Sequence, residues 1–463
     1  MKKLVCLLLV ALSLFSVCAC SCFVSDVKYD YEDMTQFIRL PDYKNHLFEI
    51  EEDSIKQAIG TYLMQFSSEY TVQAGDKVKV DIKFFEKIAE DVDKPSKNEI
   101  KELAITGEWI EKVGLVYSDG KHQLSSTIEN NIIGMKNGDT ISKPVKLDDD
   151  YYIESGRGRS VFAEITVKNI VCEEGDVVLA SYTGYYLDKD GNIVKENGKD
   201  KTFDQSDNSS FYIGSNLAIK DFENGLIGMT IGEENDIYAT FPEDYAPDKN
   251  LAGQKVLFKV KIKSMYTPPI YNNAFVQKYF STFKTTKEFE EALKKEYLLT
   301  LIYDYINNNA QVIEYPEPEY EAANDQLEEI AETWTQNYSM TLDAYIMSTY
   351  GMTRDAYIKS NMKTEMIFYS LRNMIGTPAI PTEVEIAAMR SKLIEDYKNQ
   401  YMQEDGLTDS AALSAANEFV DALGETYVYE QVMYEKIDDI IPTQVQTKMI
   451  ESEREYVFDA KTE

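Results

Sequence analysis

The chain has 463 residues, 44% of them hydrophobic, so it is long enough for two to four domains with apolar cores. Its 80 acidic residues outnumber 47 basic ones, and the formal net charge of -33 argues against nucleic acid as a partner because such a surface repels phosphate. The two histidines, His46 and His122, lie far apart in sequence. This argues against a multi-histidine metal site and against a Ser-His or Cys-His triad.

The N-terminus has the pattern of an export signal. Two lysines precede the apolar run 4–17, which is too short to span a bilayer comfortably. Residues 17–20 then resemble a bacterial lipoprotein signal, in which cleavage precedes a cysteine that becomes acylated. Because a small alanine stands before Cys20, we expect residues 1–19 to be the signal peptide and Cys20 to carry the lipid. Acylation of Cys22, or an ordinary cleaved signal, is the alternative.

An acidic segment follows, which we place at residues 20–73 and interpret as a tether. Within it, residues 53–66 carry apolar side chains at helical spacing. The segment is therefore expected to contain one short helix and no chemistry.

Residues 75–266 contain short alternating strands broken by glycines, and this stretch repeats itself. The matching segments are 128–139 with 222–233 and 161–167 with 256–262. Two copies about a hundred residues apart predict two domains of one fold rather than a solenoid. We place these domains at 74–171 and 172–267.

The second copy carries a series of short motifs. In chain order they are Gly175-Asp176-x-Val178, Tyr182-Thr183-Gly184, Thr202-Phe203-Asp204-x-Ser206, Phe211-x-Ile213-Gly214, Ile219-Lys220-Asp221-Phe222-Glu223, Gly228-Met229, Gly232-Glu233 and Phe258-x-Val260. This order resembles the FKBP family of peptidyl-prolyl cis/trans isomerases. The resemblance implies a bent antiparallel sheet wrapped over one short helix, with an apolar pocket between them.

The resemblance also implies a role for each pocket residue. The walls would be Tyr182, Phe203, Phe211, Ile219 and Phe258, with Phe222 as the floor, Asp204 at the rim and Tyr245 at the start of a flap. Asp204 would face the imide carbonyl, and the backbone N–H of Ile219 would hold a substrate carbonyl. No nucleophile, metal or cofactor is required, because a dry aromatic pocket favours the twisted imide that has lost its amide resonance. Taken singly, each aromatic residue is more often ordinary strand packing.

Two features depart from the usual FKBP pattern. Phe222 stands where many FKBPs have tryptophan, and phenylalanine at this position resembles the pattern of trigger factors. The flap runs Tyr245-Ala246-Pro247 and lacks a second tyrosine that many FKBPs use for substrate contact. We therefore expect catalysis, but not the binding of small-molecule FKBP inhibitors.

The first copy keeps the fold signature and loses the pocket. Ile82, Ile128 and Ala163 stand where the second copy has Tyr182, Phe222 and Phe258. We find no counterpart of Phe203-Asp204 there. The first copy is accordingly interpreted as a degenerate FKBP-like module that acts as a spacer or as a client-binding surface.

After Pro268-Pro269 the pattern is helical almost to the C-terminus, and we place one all-α domain at 268–463. Thr285-x-x-Glu288 is a capping box, and Thr382-x-x-Glu385 opens a later helix. This helical region directly after an isomerase resembles the C-terminal domain of trigger factor, whose arms form a cradle for unfolded clients. The implied fold class is α+β, with two tandem antiparallel FKBP-like domains before the helical domain. Trigger factor's ribosome-binding module has no visible match.

The helical region is rich in tyrosine and methionine, which suit a promiscuous apolar surface. These residues are Tyr338, Met340, Tyr345, Met347, Tyr350, Met352, Met362 and Met366. Ordinary helical core is the alternative for each of them.

Taken together, the sequence predicts an extracytoplasmic, lipid-anchored foldase that isomerises X-Pro bonds in unfolded exported polypeptides. The alternative is a non-catalytic holdase, or a peptide-binding lipoprotein with a vestigial FKBP domain. Intact Phe203-Asp204 favours the first interpretation, and the altered flap leaves room for the second. A solute-binding lipoprotein is disfavoured, because the chain lacks a two-lobed parallel α/β pattern.

Overall fold

The computed structural model describes residue 29 and residues 31–89, 92–243, 245, 247–337 and 340–458. The signal peptide at 1–19 and the predicted lipidation at Cys20, with its alternative Cys22, lie outside the described residues. Tyr338 also lies outside them.

The secondary structure comprises short strands and longer helices. The strands are β1 (Ile38–Arg39), β2 (Leu47–Glu51), β3 (Ser68–Glu69), β4 (Val78–Ala89), β5 (Val92–Glu99), β6 (Ile105–Ile110), β7 (Thr140–Lys146), β8 (Ser160–Ile170), β9 (Val177–Tyr186), β10 (Lys195–Glu196), β11 (Lys199–Asp200), β12 (Thr202–Tyr212), β13 (Glu234–Thr240), β14 (Lys255–Thr267), β15 (Gln311–Val312) and β16 (Gln446–Ile450). The helices are α1 (Glu52–Gln65), α2 (Ser126–Ile132), α3 (Lys220–Leu226), α4 (Asn273–Tyr279), α5 (Thr286–Asn309), α6 (Glu317–Asn337), α7 (Leu342–Tyr350), α8 (Arg354–Ile375), α9 (Glu383–Glu404) and α10 (Asp409–Ile440).

The chain divides into two compact units. The sheet unit contains residues 56–275 and the described residues after Glu451. The helical unit contains residues 276–451 and the described residues up to Ile55. The overall class is α+β, as the sequence predicts.

The sheet unit consists of two antiparallel five-stranded sheets with the same order of elements. The first sheet runs β5-β4-β8-β7, with β6 also paired to β4, and the second runs β12-β9-β14-β13, with β3 paired to β14. One short helix, α2 or α3, supplies buried apolar residues to the core of each module. Buried and exposed residues alternate along β8 and β14, as expected of strands with one covered face. The duplication read from the sequence is therefore a duplication of fold.

The core of the helical unit includes residues from both ends of the chain. Its centre is formed by α5, α8 and α10, through Ile302, Ile306, Met366, Phe368 and Met433. Tyr29, Ile38, Tyr43, Phe48 and Ile50 are buried in the same core. Strand β1 pairs with β15 in antiparallel orientation, and β2 pairs with β16 in parallel orientation.

The predicted tether at 20–73 is wrong for its described part. Residues up to Ile55 are structural components of the helical unit, and Tyr70 and Val72 are buried in the core of the sheet unit. Strand β2 was not recognised in the sequence because its alternation, in which Phe48 and Ile50 are buried and the residues around them exposed, is short and lies in an acidic stretch. The single domain placed at 268–463 also needs correction, because it contains β15 and β16 and its last described residues join the sheet unit.

Both predicted helix starts are observed, but the capping box predicted at Thr285 is only half formed, because the Glu288 carboxylate accepts from Lys284 instead of from the N-cap residue. The Thr285 hydroxyl accepts a hydrogen bond from the Glu288 N–H, while the Glu288 carboxylate accepts one from the N–H of Lys284. Thr382 forms a complete capping box with Glu385. Within the described residues, no helix is long and apolar enough to cross a membrane.

Candidate functional site

The centre of the candidate site in the second module is a cluster of aromatic rings around Phe222. Phe222 lies on α3 and is buried, with 2% of its surface exposed. Its ring centroid lies 4.7 Å from that of Phe211 on β12, 4.9 Å from that of Phe258 on β14 and 6.1 Å from that of Tyr182 on β9. Three strands and one helix therefore direct aromatic side chains to one point.

Phe203 lies at one edge of this cluster, where a glycine on the neighbouring strand leaves room for its ring. Its ring centroid is 5.5 Å from that of Phe258 and 5.8 Å from that of Phe241. A Cβ atom added to Gly184 on the neighbouring strand would lie 2.4 Å from Cζ of Phe203. Since real atoms do not approach so closely, the ring can lie against β9 only because residue 184 has no side chain.

The polar rim is a carboxylate held by two donors. The Tyr182 hydroxyl donates to Oδ2 of Asp204 over 2.6 Å, and the Gln205 N–H donates to Oδ1 over 2.8 Å. Partial burial of the tyrosine, together with the hydrogen bond to Asp204, raises the pKa of Tyr182 to about 12. The tyrosine is therefore a neutral donor that fixes the orientation of an exposed carboxylate beside the rings.

The backbone at the start of α3 offers a further hydrogen-bond donor, separate from the two that bind Asp204. Ile219 is the residue before this helix, and within the described part of the chain its N–H has no hydrogen-bond partner. The loop before it is organised by Glu223, which is 4% exposed and accepts hydrogen bonds from the N–H groups of Gly214, Asn216 and Ala218. A buried carboxylate thus shapes the turn that presents the Ile219 N–H.

Tyr245 lies beyond β13, with its ring 4.7 Å from that of Phe241, which in turn packs on Phe203 and Phe258. Burial, together with the charges of Asp204 and Asp248, raises the pKa of Tyr245. The structure thus brings the sequence-predicted site residues into one region of the second module.

Sequence reasoning missed three contributors to this site: Phe241, Glu223 and Gly184. Phe241 follows the alternation of buried Ile237 and Ala239 along β13, which is a signal that could have identified it. Glu223 and Gly184 were quoted as parts of motifs, but their roles depend on contacts that no local pattern reveals.

The first module has the same frame without this arrangement. Ile82, Ile128 and Ala163 are fully buried. Ala163 pairs with Phe84 across β8 and β4, at the place where Phe258 pairs with Gly184 in the second module. Phe84 is also fully buried, so the first module carries a phenylalanine on the strand where the second carries a glycine.

Residues 168–263 match the family model described as FKBP-type peptidyl-prolyl cis-trans isomerase. Over 190 residues the chain is 33% identical to a trigger factor of Caldicellulosiruptor bescii, a match that covers 38% of this chain and 40% of that protein. Over 269 residues it is 27% identical to a trigger factor of Listeria innocua, covering 54% of this chain and 60% of that protein.

Among solved structures, a match to the three FKBP domains of wheat FKBP73 has 17% identity and a TM-score of 0.18. It covers 43% of this chain and 90% of that chain.

The chain thus contains an FKBP-type domain and is homologous to trigger factors. It spans 40% and 60% of the length of the two trigger factors described above. Among the residues that the structure describes, no group of three or more His, Cys, Asp or Glu side chains could hold a metal ion.

Proposed function

We propose that this protein is a foldase that isomerises X-Pro bonds in unfolded polypeptides outside the cytoplasm. One observation carries the proposal: a carboxylate oriented by Tyr182 and Gln205 stands beside a cluster of aromatic rings, and Ile219, whose N–H has no hydrogen-bond partner among the described residues, packs against the same core. Such a site can bind an imide, exclude water from it and hold its flanking carbonyls.

The mechanism follows from the physics of the imide bond. Rotation requires the loss of amide resonance, a barrier of about 18–20 kcal/mol. The twisted imide is less dipolar than the planar one, so an apolar pocket walled by Phe211, Phe222 and Phe258 favours it. Asp204 supplies a fixed negative charge at the rim, and the Ile219 N–H donates to a substrate carbonyl. Each ~1.4 kcal/mol of preference for the twisted state gives about tenfold in rate.

The helical unit supplies the client-binding surface in this proposal. Met340, Met347 and Met352 are 45%, 49% and 37% exposed, whereas Met362 and Met366 are buried in the core. The methionine-rich stretch therefore divides into core residues and an exposed group. Flexible, polarizable side chains of the exposed group suit binding to varied unfolded segments.

The extracytoplasmic setting and the lipid anchor rest on the sequence of residues 1–22. We expect radioactive fatty acid to label the wild-type protein and Cys22→Ala, but not Cys20→Ala. Labelling that persists in Cys20→Ala and disappears in Cys22→Ala would move the anchor to the second cysteine.

The catalytic proposal is tested with a short X-Pro peptide and with an unfolded protein whose refolding is limited by prolyl isomerisation. The wild type should accelerate both, and Phe203→Ala combined with Asp204→Ala should abolish the effect. Asp236→Ala removes an exposed acid from β13 of the same module and serves as the matched control. Full activity in a folded double variant would refute the site. A wild type that suppresses aggregation but accelerates neither substrate would instead be a holdase.

A further inference from the structure

The last described segment of the chain packs on the FKBP-type module. The chain leaves β16 after Ile450, and the residues that follow belong to the sheet unit. In this segment, which we call the tail (residues 452–458), Tyr456 is 3% exposed and Phe458 is 1% exposed. Burial to this degree shows that the tail is docked on the module.

The tail contacts the loop that leads to the Ile219 N–H. The Val457 N–H donates to the carbonyl oxygen of Gly214 over 3.1 Å, and Nδ2 of Asn216 donates to the carbonyl oxygen of Glu455 over 2.9 Å. Two hydrogen bonds, one in each direction, therefore tie the tail to residues 214–216. The tail and this loop are more than two hundred residues apart in sequence.

Apolar packing reinforces these hydrogen bonds. The ring of Phe458 lies 6.1 Å from that of the buried Tyr212, at the end of β12. A Cβ atom added to Gly60 on α1 would lie 3.4 Å from Phe458 and 3.5 Å from the side chain of Leu217. Phe458 and Leu217 therefore come within contact distance of the same point on α1.

The loop is thus held from two sides. Inside the module, Glu223 accepts the N–H groups of Gly214, Asn216 and Ala218, and from outside the tail binds Gly214 and Asn216. Asn216 has a positive φ of 56°, a backbone conformation that such restraints maintain. The constrained loop ends at Ile219, whose N–H is a substrate donor in the proposed mechanism.

We infer that the tail is a positioning element of the isomerase site, which fixes loop 213–219 so that the Ile219 N–H meets the substrate carbonyl. The inference rests on the proposed function, since it concerns the same pocket. The observed contacts join the tail to this loop and to Tyr212, so we expect its effect on catalysis to pass through the loop. Small displacements of a binding group have large kinetic effects, which makes the contribution measurable.

The test uses full-length protein with a lesion on each side of this contact. Phe458→Ala removes the buried ring of the tail, and Asn216→Gly removes the side-chain donor while tolerating the positive φ. Glu453→Ala, an exposed tail position, is the control, and Phe458→Leu retains an apolar side chain. Each lesion should lower kcat/KM on an X-Pro peptide by about fivefold to tenfold. The kcat/KM of the double variant should be little lower than that of either single variant, because both substitutions weaken the same interface between the tail and the loop.

A readout at the loop separates positioning from general stability. Hydrogen exchange of peptides covering 213–219 should quicken about tenfold in both lesions and remain unchanged in Glu453→Ala. Phe458→Leu should recover most of the activity. Unchanged exchange would show that the tail does not hold the loop, and faster exchange with unchanged kcat/KM would show that holding it does not matter for catalysis. Should Phe458→Ala fail to fold, Asn216→Gly alone decides.

The outcomes also distinguish this inference from the proposed function. A wild type without isomerase activity would end the proposed function, and the tail's catalytic role with it. An active wild type whose two lesions keep full kcat/KM would end only the inference.

Discussion

Substituting Tyr182→Phe isolates one hydrogen bond of the site. The change removes the hydroxyl that donates to Asp204 over 2.6 Å and leaves the ring that packs near Phe211, Phe222 and Phe258. Asp204 is exposed and keeps the Gln205 N–H, so water can replace the lost donor in the free protein. We therefore expect the free energy of unfolding to fall by less than about 1 kcal/mol.

The effect on catalysis should be larger than the effect on stability. A hydrogen bond to a charged group contributes about 1.5–3 kcal/mol, and the mechanism uses Asp204 in the orientation that this bond fixes. If about half of that is lost in the transition state, kcat/KM on a short X-Pro peptide falls about fourfold to tenfold. In an Asp204→Ala background the same substitution should cost almost nothing, because its partner is already gone. Tyr238→Phe, at a 65% exposed position on β13, is the control.

The pH dependence gives a second measurement of the same contact. Partial burial and the hydrogen bond to Asp204 raise the pKa of Tyr182 to about 12, so the protonated hydroxyl is favoured in the folded state. Its contribution is complete below the ordinary tyrosine pKa of about 10 and is lost only as the pH rises towards about 12. The kcat/KM of the wild type should therefore not decline between about pH 8 and pH 10 through this group. Equal kcat/KM for Tyr182→Phe and the wild type, or an equal loss in both backgrounds, would refute the role assigned to the hydroxyl.

Three further predictions follow from other parts of the molecule. Gly184→Ala places a Cβ atom 2.4 Å from Phe203, so the ring must move; peptide isomerisation should fall about tenfold or more, and urea unfolding should show a loss of about 1–3 kcal/mol. Burial raises the pKa of the Glu365 carboxyl to about 7, so the folded helical unit holds a proton that the unfolded chain releases near pH 4.3, and its stability should fall as the pH rises from about 5 to about 8. Glu365→Gln should flatten this slope in urea titrations at the two pH values, and an unchanged slope would contradict the assignment. Deleting residues 29–55 should unfold the helical unit, since it removes two strand pairings and six buried core residues; circular dichroism and limited proteolysis would show retained helices if this is wrong.

The sequence predicts those parts of the fold that repeat locally. The alternation along β8 and β14 and the helical spacing after Pro268 need only neighbouring residues to be recognised. The site residues could be predicted from the sequence for a different reason, because they belong to short motifs that occur in the order typical of the FKBP family.

The parts that sequence reasoning missed depend on contacts between distant segments. Strand β1 has two residues and pairs with β15 more than two hundred and seventy residues later, and β2 pairs with β16 almost four hundred residues later. Such short strands have no period long enough to detect, and their stability comes from the partner. The tail likewise reads as a polar chain end, and only the structure shows that Tyr456 and Phe458 are buried.

The two modules show how one frame can carry a site in one copy and not in the other. In the first module the strand position opposite Ala163 holds a ring of its own, Phe84. In the second module the corresponding position is Gly184, and the ring against it is Phe203, contributed by the neighbouring strand β12. Because Phe203 is followed by Asp204, the substitution of glycine for phenylalanine makes room for a ring and for the carboxylate attached to the next residue. The fold is common to both modules, and the chemistry depends on which strand fills that one position.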